Sequence, residues 1–258
     1  MTRLRTIISL AVLAGVVSIA LAPMGQASTE TPLTTCGQVI TTNAFLTRDL
    51  TCPGLAGVVV GASRITINLN GFTLRGDHSA GRYGIDDLSG FDEVTVENGS
   101  VRDFDYGVVG FGADRLLLSD IDASQNTNGG IFIAGVATQI QSSGASGNGG
   151  DGVYIMGTSA SVRSFTAIGN AGSGIYVSGA FSRIRLSAAS RDGSDGIVVV
   201  GNAARLESNW AEANGRPESL SGGARLGIHV FGYTVVPTGT NIARDNSDPA
   251  QCRPKSLC

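Results

Sequence analysis

Five side chains between positions 78 and 87 have the types that acid–base chemistry on a sugar requires: His78, Arg82, Tyr83, Asp86 and Asp87. Paired carboxylates near a His, an Arg and a Tyr can do general acid and general base work. Asp86 and Asp87 are the candidate pair, with His78, Arg82 and Tyr83 in support. The segment Gly76-Asp77-His78-Ser79-Ala80-Gly81-Arg82-Tyr83 reads as a polar loop leading into them. No nucleophile elbow, P-loop or dinucleotide fingerprint occurs in the chain.

A second set of candidates emerges from a repeat. Glycine followed by Ile or Val falls at Gly84, Gly107, Gly130, Gly152, Gly174, Gly196 and Gly227, at intervals of 23, 23, 22, 22, 22 and 31. A fixed period of this size marks stacked units that bury apolar surface against their neighbours. Counting from each glycine, the residue at +1 is always Ile or Val, and Ile133, Ile155, Val177, Val199 and Val230 stand at +3. In a strand, +1 and +3 facing inward send +2 and +4 outward. The +2 column then carries Phe132, Tyr154, Tyr176 and His229, and the +4 column adds Phe111, Met156 and Phe231. These seven are the candidate substrate-binding residues. As a platform, flat rings suit the apolar faces of sugars, and an outward ring would add little to the core. As a ladder, the same rings stabilise the stack or lie under a loop.

The elements that position both sets follow from the same columns. A second strand is expected to centre on Val94, Leu117, Ile140, Val162, Ile184 and Leu206, with Ala145, Ala167, Ala189 and Ala211 in a small column after it. Asn126, Asn148, Asn170, Asp192, Asn214 and Asn246 form a turn column. Asparagine there tolerates left-handed backbone and can hydrogen-bond to its copies above and below. Short strands, Gly and Asn turns and a period of about 22 give a parallel β-solenoid. No six-residue sub-period and no leucine-rich pattern is present, which leaves an all-β, right-handed parallel β-helix over 36–246. The 31-residue interval predicts an excursion within 216–225, where Pro217, Gly222 and Gly223 interrupt the pattern.

The stretch Cys36-Gly37 … Leu46-Thr47-Arg48-Asp49-Leu50-Thr51-Cys52, then Ile65-Thr66-Ile67-Asn68-Leu69-Asn70-Gly71-Phe72-Thr73-Leu74, resembles the opening of secreted right-handed β-helix proteins of the pectate-lyase-like superfamily. The later Asn-x-x-x-Gly-Ile steps resemble their coil repeat. The resemblance implies the fold and a relation to polysaccharides. The superfamily holds lyases, hydrolases, epimerases and binders, so it implies no single activity. Tyr83-Gly84-Ile85-Asp86 is also similar to the start of the Tyr-Gly-x-Asp-Pro-His motif of mannuronan C5-epimerases, with Asp87-Leu88 where Pro-His would stand.

Residues 1–27 read as an export signal, with Arg3 and Arg5 before an apolar run and small residues at a cleavage position after Ala27. A retained anchor is the alternative, and no other segment could cross a bilayer. Residues 28–35 read as a mobile N-terminal segment and 247–258 as a tail. Export makes disulfides plausible, and the local pairs Cys36–Cys52 and Cys252–Cys258 are expected. Net charge is −3, from one lysine and seventeen arginines against twenty-one carboxylates. The sequence shows no basic stripe, which argues against a nucleic-acid partner. Eleven carboxylates crowd into 77–122, a face that would repel an anionic polymer unless a cation such as Ca²⁺ intervened. The reading is a secreted or cell-envelope β-helix that binds, and as an enzyme would modify, an extracellular polysaccharide or cell-envelope glycan. The rival reading is a non-enzymatic envelope scaffold.

Overall fold

The computed structural model describes residues 30–215, 225–232, 235–237 and 239–258. The proposed leader and nearly all of the proposed excursion, 216–224, lie outside them. The chain winds as coils of short strands, and each strand pairs in parallel with its counterpart one coil on. The coil has three flat sides. Sheet one contains ten strands, from Gln38–Ile40 to Cys252–Arg253. Sheet two runs from Thr31–Leu33 to Val235–Pro237, and sheet three from Leu50–Thr51 to Ile242–Arg244. Thr95–Arg102 and Leu117–Ser124 pass through the corner between sheets two and three as continuous strands.

The glycine-led steps stack as the period requires. Ile85, Val108, Ile131, Val153, Ile175, Ile197 and Ile228 pair in turn along sheet one. Their side chains are buried, as are those of Ile133, Ile155, Val177 and Val199 two places on. The second-strand column differs from expectation in its first two coils. Val96 and Leu118, not Val94 and Leu117, stand in register with Ile140, Val162, Ile184 and Leu206. Those two coils carry an extra residue or two, which shifts the column relative to the glycine. Val94 still reaches the core from another position, whereas Leu117 is only half-buried.

One corner explains the glycine, alanine and asparagine columns together. A Cβ on Gly152 would sit 2.6 Å from the Gly174 carbonyl oxygen, 2.9 Å from Asn170 Nδ2 and 3.3 Å from Ala167 Cβ. The bare glycine and the small alanine therefore leave the space that the asparagine fills. Each asparagine donates from Nδ2 to the Oδ1 of the next copy: Asn126 to Asn148 at 3.0 Å, Asn148 to Asn170 at 2.8 Å, and Asn214 to Asn246 at 2.9 Å. The expected ladder is present, but the left-handed backbone falls one residue earlier. Gln125, Gly147, Gly169, Arg191 and Ala213 take φ between 57° and 67°. The asparagine is free to point inward because its predecessor makes the turn.

Both ends extend further than expected. Thr31–Leu33 is not a mobile segment: it pairs with Ala44–Leu46, and Leu33 is fully buried. The tail 247–258 closes the other end, with Cys252–Arg253 pairing beside Ile228–His229 and Leu257 buried. The Cys36–Cys52 and Cys252–Cys258 bridges are both formed. Among the described residues no helix is long and apolar enough to cross a membrane.

Candidate functional site

The outer face of sheet one gathers most of the chemistry. Its +2 column reads Asp86, Val109, Phe132, Tyr154, Tyr176, Val198 and His229 in successive pairing. Phe132, Tyr154 and Tyr176 form the expected line, with ring centroids 5.6 and 4.8 Å apart and near-perpendicular planes. The line is longer than the sequence reading allowed. Tyr106 lies 5.9 Å from Phe132 and 6.3 Å from Tyr83, so five rings run from Tyr83 to Tyr176. Tyr83 and Tyr106 each stand one place before a column glycine. In the next coil that place is Gly129, where a side chain would collide with the Tyr106 ring. The missing side chain lets Tyr106 lean across to Phe132.

The other predicted binding residues lie apart from this line. Phe111 and Met156 share the +4 column but are separated by Ala134. His229 and Phe231 are cut off from Tyr176 by the coil bearing Val198 and Val200. They stack on each other at 3.8 Å, and His229 Nδ1 sits 3.0 Å from Asp195 Oδ2.

The predicted catalytic cluster divides into four. Asp86 and Tyr83 face outward on sheet one, each half-buried. Asp87 does not join Asp86: it is on the inner face and fully buried. Its Oδ1 accepts from the Phe91 amide at 3.0 Å, while Oδ2 has no partner. Burial pushes its pKa up to about 6. The side-by-side pair fails because neighbouring strand residues point to opposite faces. A polymer on the surface cannot reach Asp87. His78 turns toward a third place, with Nδ1 3.2 Å from Thr127 Oγ1 and Nε2 3.7 Å from Asp103 Oδ1. There it lines a cleft of about 510 Å³ between sheets three and one, with Arg75, Arg102 and Asp103. Arg75 Nε and Arg102 Nε both donate to Asp103 Oδ2, at 2.8 and 3.3 Å. Arg82 is exposed in the loop, where its carbonyl accepts from the Asp105 amide.

Two carboxylates that the sequence reading left out belong to the ring line. Asp105 accepts from the Gly81 amide at 2.6 Å and from Asn128 Nδ2. Asp151 accepts from the Ser173 amide at 2.6 Å, and burial raises its pKa. Burial also raises the phenols of Tyr83 and Tyr106, and the charge of Asp105 raises them further. These hydroxyls are therefore neutral near pH 7 and act as hydrogen-bonding groups rather than bases.

Several carboxylates of the acidic stretch 77–122 have partners or face the core. Asp87 points inward, Asp103 holds two arginines, and Asp92 and Glu93 face Arg115. Among the described residues no three His, Cys, Asp or Glu side chains gather to hold a metal ion.

The right handed beta helix region matches the sequence over residues 53–188 and 83–247. The chain belongs to the right-handed β-helix family. This β-helix is similar to the A-module of the Azotobacter vinelandii mannuronan C-5 epimerase, at 15% identity and a TM-score of 0.50. That match covers 86% of this chain and 81% of the other. It is also similar to DFA-IIIase from Arthrobacter chlorophenolicus, at 14% identity and a TM-score of 0.30, over 81% and 60% of the two chains. No curated protein matches the sequence. These likenesses concern the fold of the β-helix and carry no residue roles.

Proposed function

We propose that this chain is an exported β-helix that binds an extracellular polysaccharide along the outer face of sheet one. The observation that carries the reading is the unbroken line of five rings from Tyr83 to Tyr176. Asp86 and Asp151 stand beside it and can accept hydrogen bonds from sugar hydroxyls. A half-buried ring line flanked by acceptors is amphipathic in the same way as a sugar ring. Neutral phenols and an inward Asp87 support binding over proton abstraction. The disulfides and the leader-like N-terminus support export. A mannuronan epimerase module shares the fold, so polymannuronate is the first polymer to test.

The test is affinity electrophoresis of the full chain in gels containing polymannuronate, polygalacturonate or a neutral glucan, each with and without Ca²⁺. Retardation by at least one polymer, lost in Tyr154→Ala, supports the reading. Migration unchanged in every gel replaces it with the scaffold reading. New reducing ends, unsaturated uronates or an altered epimer ratio after incubation would make the chain an enzyme. Loss of that activity in Asp86→Asn would then place the chemistry on this face.

A further inference from the structure

Sheet two carries a charge pattern that the linear sequence conceals. Arg163 and Arg185 pair directly across adjacent coils, and so do Arg183 and Arg205. Each pair is separated by 22 residues, one coil. Arg183 and Arg185 flank the inward Ile184, so both point out of the same strand, and all four arginines are exposed. The expectation that the chain lacks a basic stripe is thus corrected: stacking builds one.

We propose that these four arginines form a second binding face, for an acidic polysaccharide, separate from the ring line on sheet one. Like charges directly opposite in a sheet repel, and this fold places two such pairs side by side. Among the described residues none of the four has a carboxylate within salt-bridge distance. Four other arginines, Arg75, Arg102, Arg115 and Arg244, each meet an acid. In the preceding coil the same columns hold neutral Gln139 and Gln141. The charge is therefore concentrated on a chain whose net charge is −3, with Glu207, which pairs in register with Arg185, as the one acid in these columns over the arginine-bearing coils. A cleft of about 220 Å³ opens between Arg183, Arg185 and Arg205 over Ile184, with Glu207 at its edge.

The pattern suits a particular anion. Guanidiniums repeat at the strand spacing of about 4.8 Å along the stack. Each offers a planar fork that grips a carboxylate with two hydrogen bonds. A polymer with one carboxylate per sugar presents such groups at regular intervals. A nucleic acid is the poorer fit, because over these coils the rest of the two columns holds Gln139, Gln141, Ser161 and Glu207 and no ring on which a base could stack.

The face is tested separately from the ring line. Binding of the full chain to polygalacturonate is measured at low and high salt, for Arg183→Glu/Arg205→Glu, for Arg163→Gln/Arg185→Gln and for Tyr154→Ala. The neutral pair relieves repulsion, so it reads out even if charge reversal disturbs folding. The expected result is a salt-sensitive component of affinity that falls about tenfold or more in both arginine variants and persists in Tyr154→Ala. A salt-sensitive component unchanged in the neutral pair, or absent from the parent chain, overturns the proposal. So does tighter binding of a single-stranded oligothymidylate than of polygalacturonate. Loss of binding in Tyr154→Ala with the arginine component intact leaves both faces standing. An arginine effect with no Tyr154 effect on any polymer rejects the ring-line reading alone.

Discussion

Tyr154 touches Phe132 on one side and Tyr176 on the other, and this decides what its removal does. Each edge-to-face contact is worth about 0.5–1.5 kcal/mol beyond burial, so Tyr154→Ala should cost about 1–3 kcal/mol. The expectation that an outward ring adds little to the fold is replaced by a double role. Urea unfolding should show this loss, and polysaccharide binding should weaken in the same variant under conditions where it remains folded. A variant with full stability would mean that the rings do not support one another. Asp87 gives the opposite case. Its carboxyl faces the core and caps the Phe91 amide, so Asp87→Asn should leave any polymer binding or turnover intact. Its pKa of about 6 lies above the ordinary carboxylate value, so the folded chain holds this proton more tightly than the unfolded chain. Its burial therefore lowers stability increasingly as pH rises from about 4 to 6, and Asp87→Asn should flatten that slope.

The asparagine ladder is the element that shapes the corner beside the site, and Asp192 is its odd rung. Asn170 donates to Asp192 Oδ1 at 2.9 Å, as it would to an asparagine. Where the other rungs have an amide nitrogen donating to a carbonyl of the preceding coil, Asp192 has a buried Oδ2 with no partner. Burial pushes its pKa up to about 7. The folded state therefore favours the protonated acid, which has a hydrogen to donate. Its contribution is most favourable below about pH 4 and is lost progressively as pH rises toward 7. Asp192→Asn supplies the missing donor at every pH. It should stabilise the chain by about 1–4 kcal/mol at pH 8 and by little at pH 4, read from urea midpoints at the two values. An equal shift at both pH values would show that the carboxyl is not the cause.

At the scale of the whole molecule, coils contact only their neighbours, so the ends are where the stack opens. The Cys36–Cys52 bridge spans 16 residues and ties the first turn of sheet one to that of sheet three. Cys36→Ser/Cys52→Ser should cost about 3 kcal/mol. Hydrogen exchange should then accelerate first in Gln38–Ile40 and Thr31–Leu33. Faster exchange beginning in the central coils would contradict an end-clamping role.

The period of about 22 determined the solenoid, its inward columns and the Phe132–Tyr154–Tyr176 line, because a strand alternates faces and a repeat aligns identical offsets. The arginine pairs were legible in principle, since 163 and 185, and 183 and 205, differ by one coil. They are invisible to any reading that looks for charges adjacent in the chain. Three features belong to the tertiary structure alone. Coils longer than 22 residues shifted the second-strand column to Val96 and Leu118, because register follows the stack and not the glycine. Tyr106 entered the ring line by leaning over Gly129, which depends on side-chain direction in two coils. The proposed acid cluster came apart because Asp87 turned inward and His78 turned toward Asp103. Nearness in sequence places residues on one strand, but the pleat and the corner decide which of them face the same solvent.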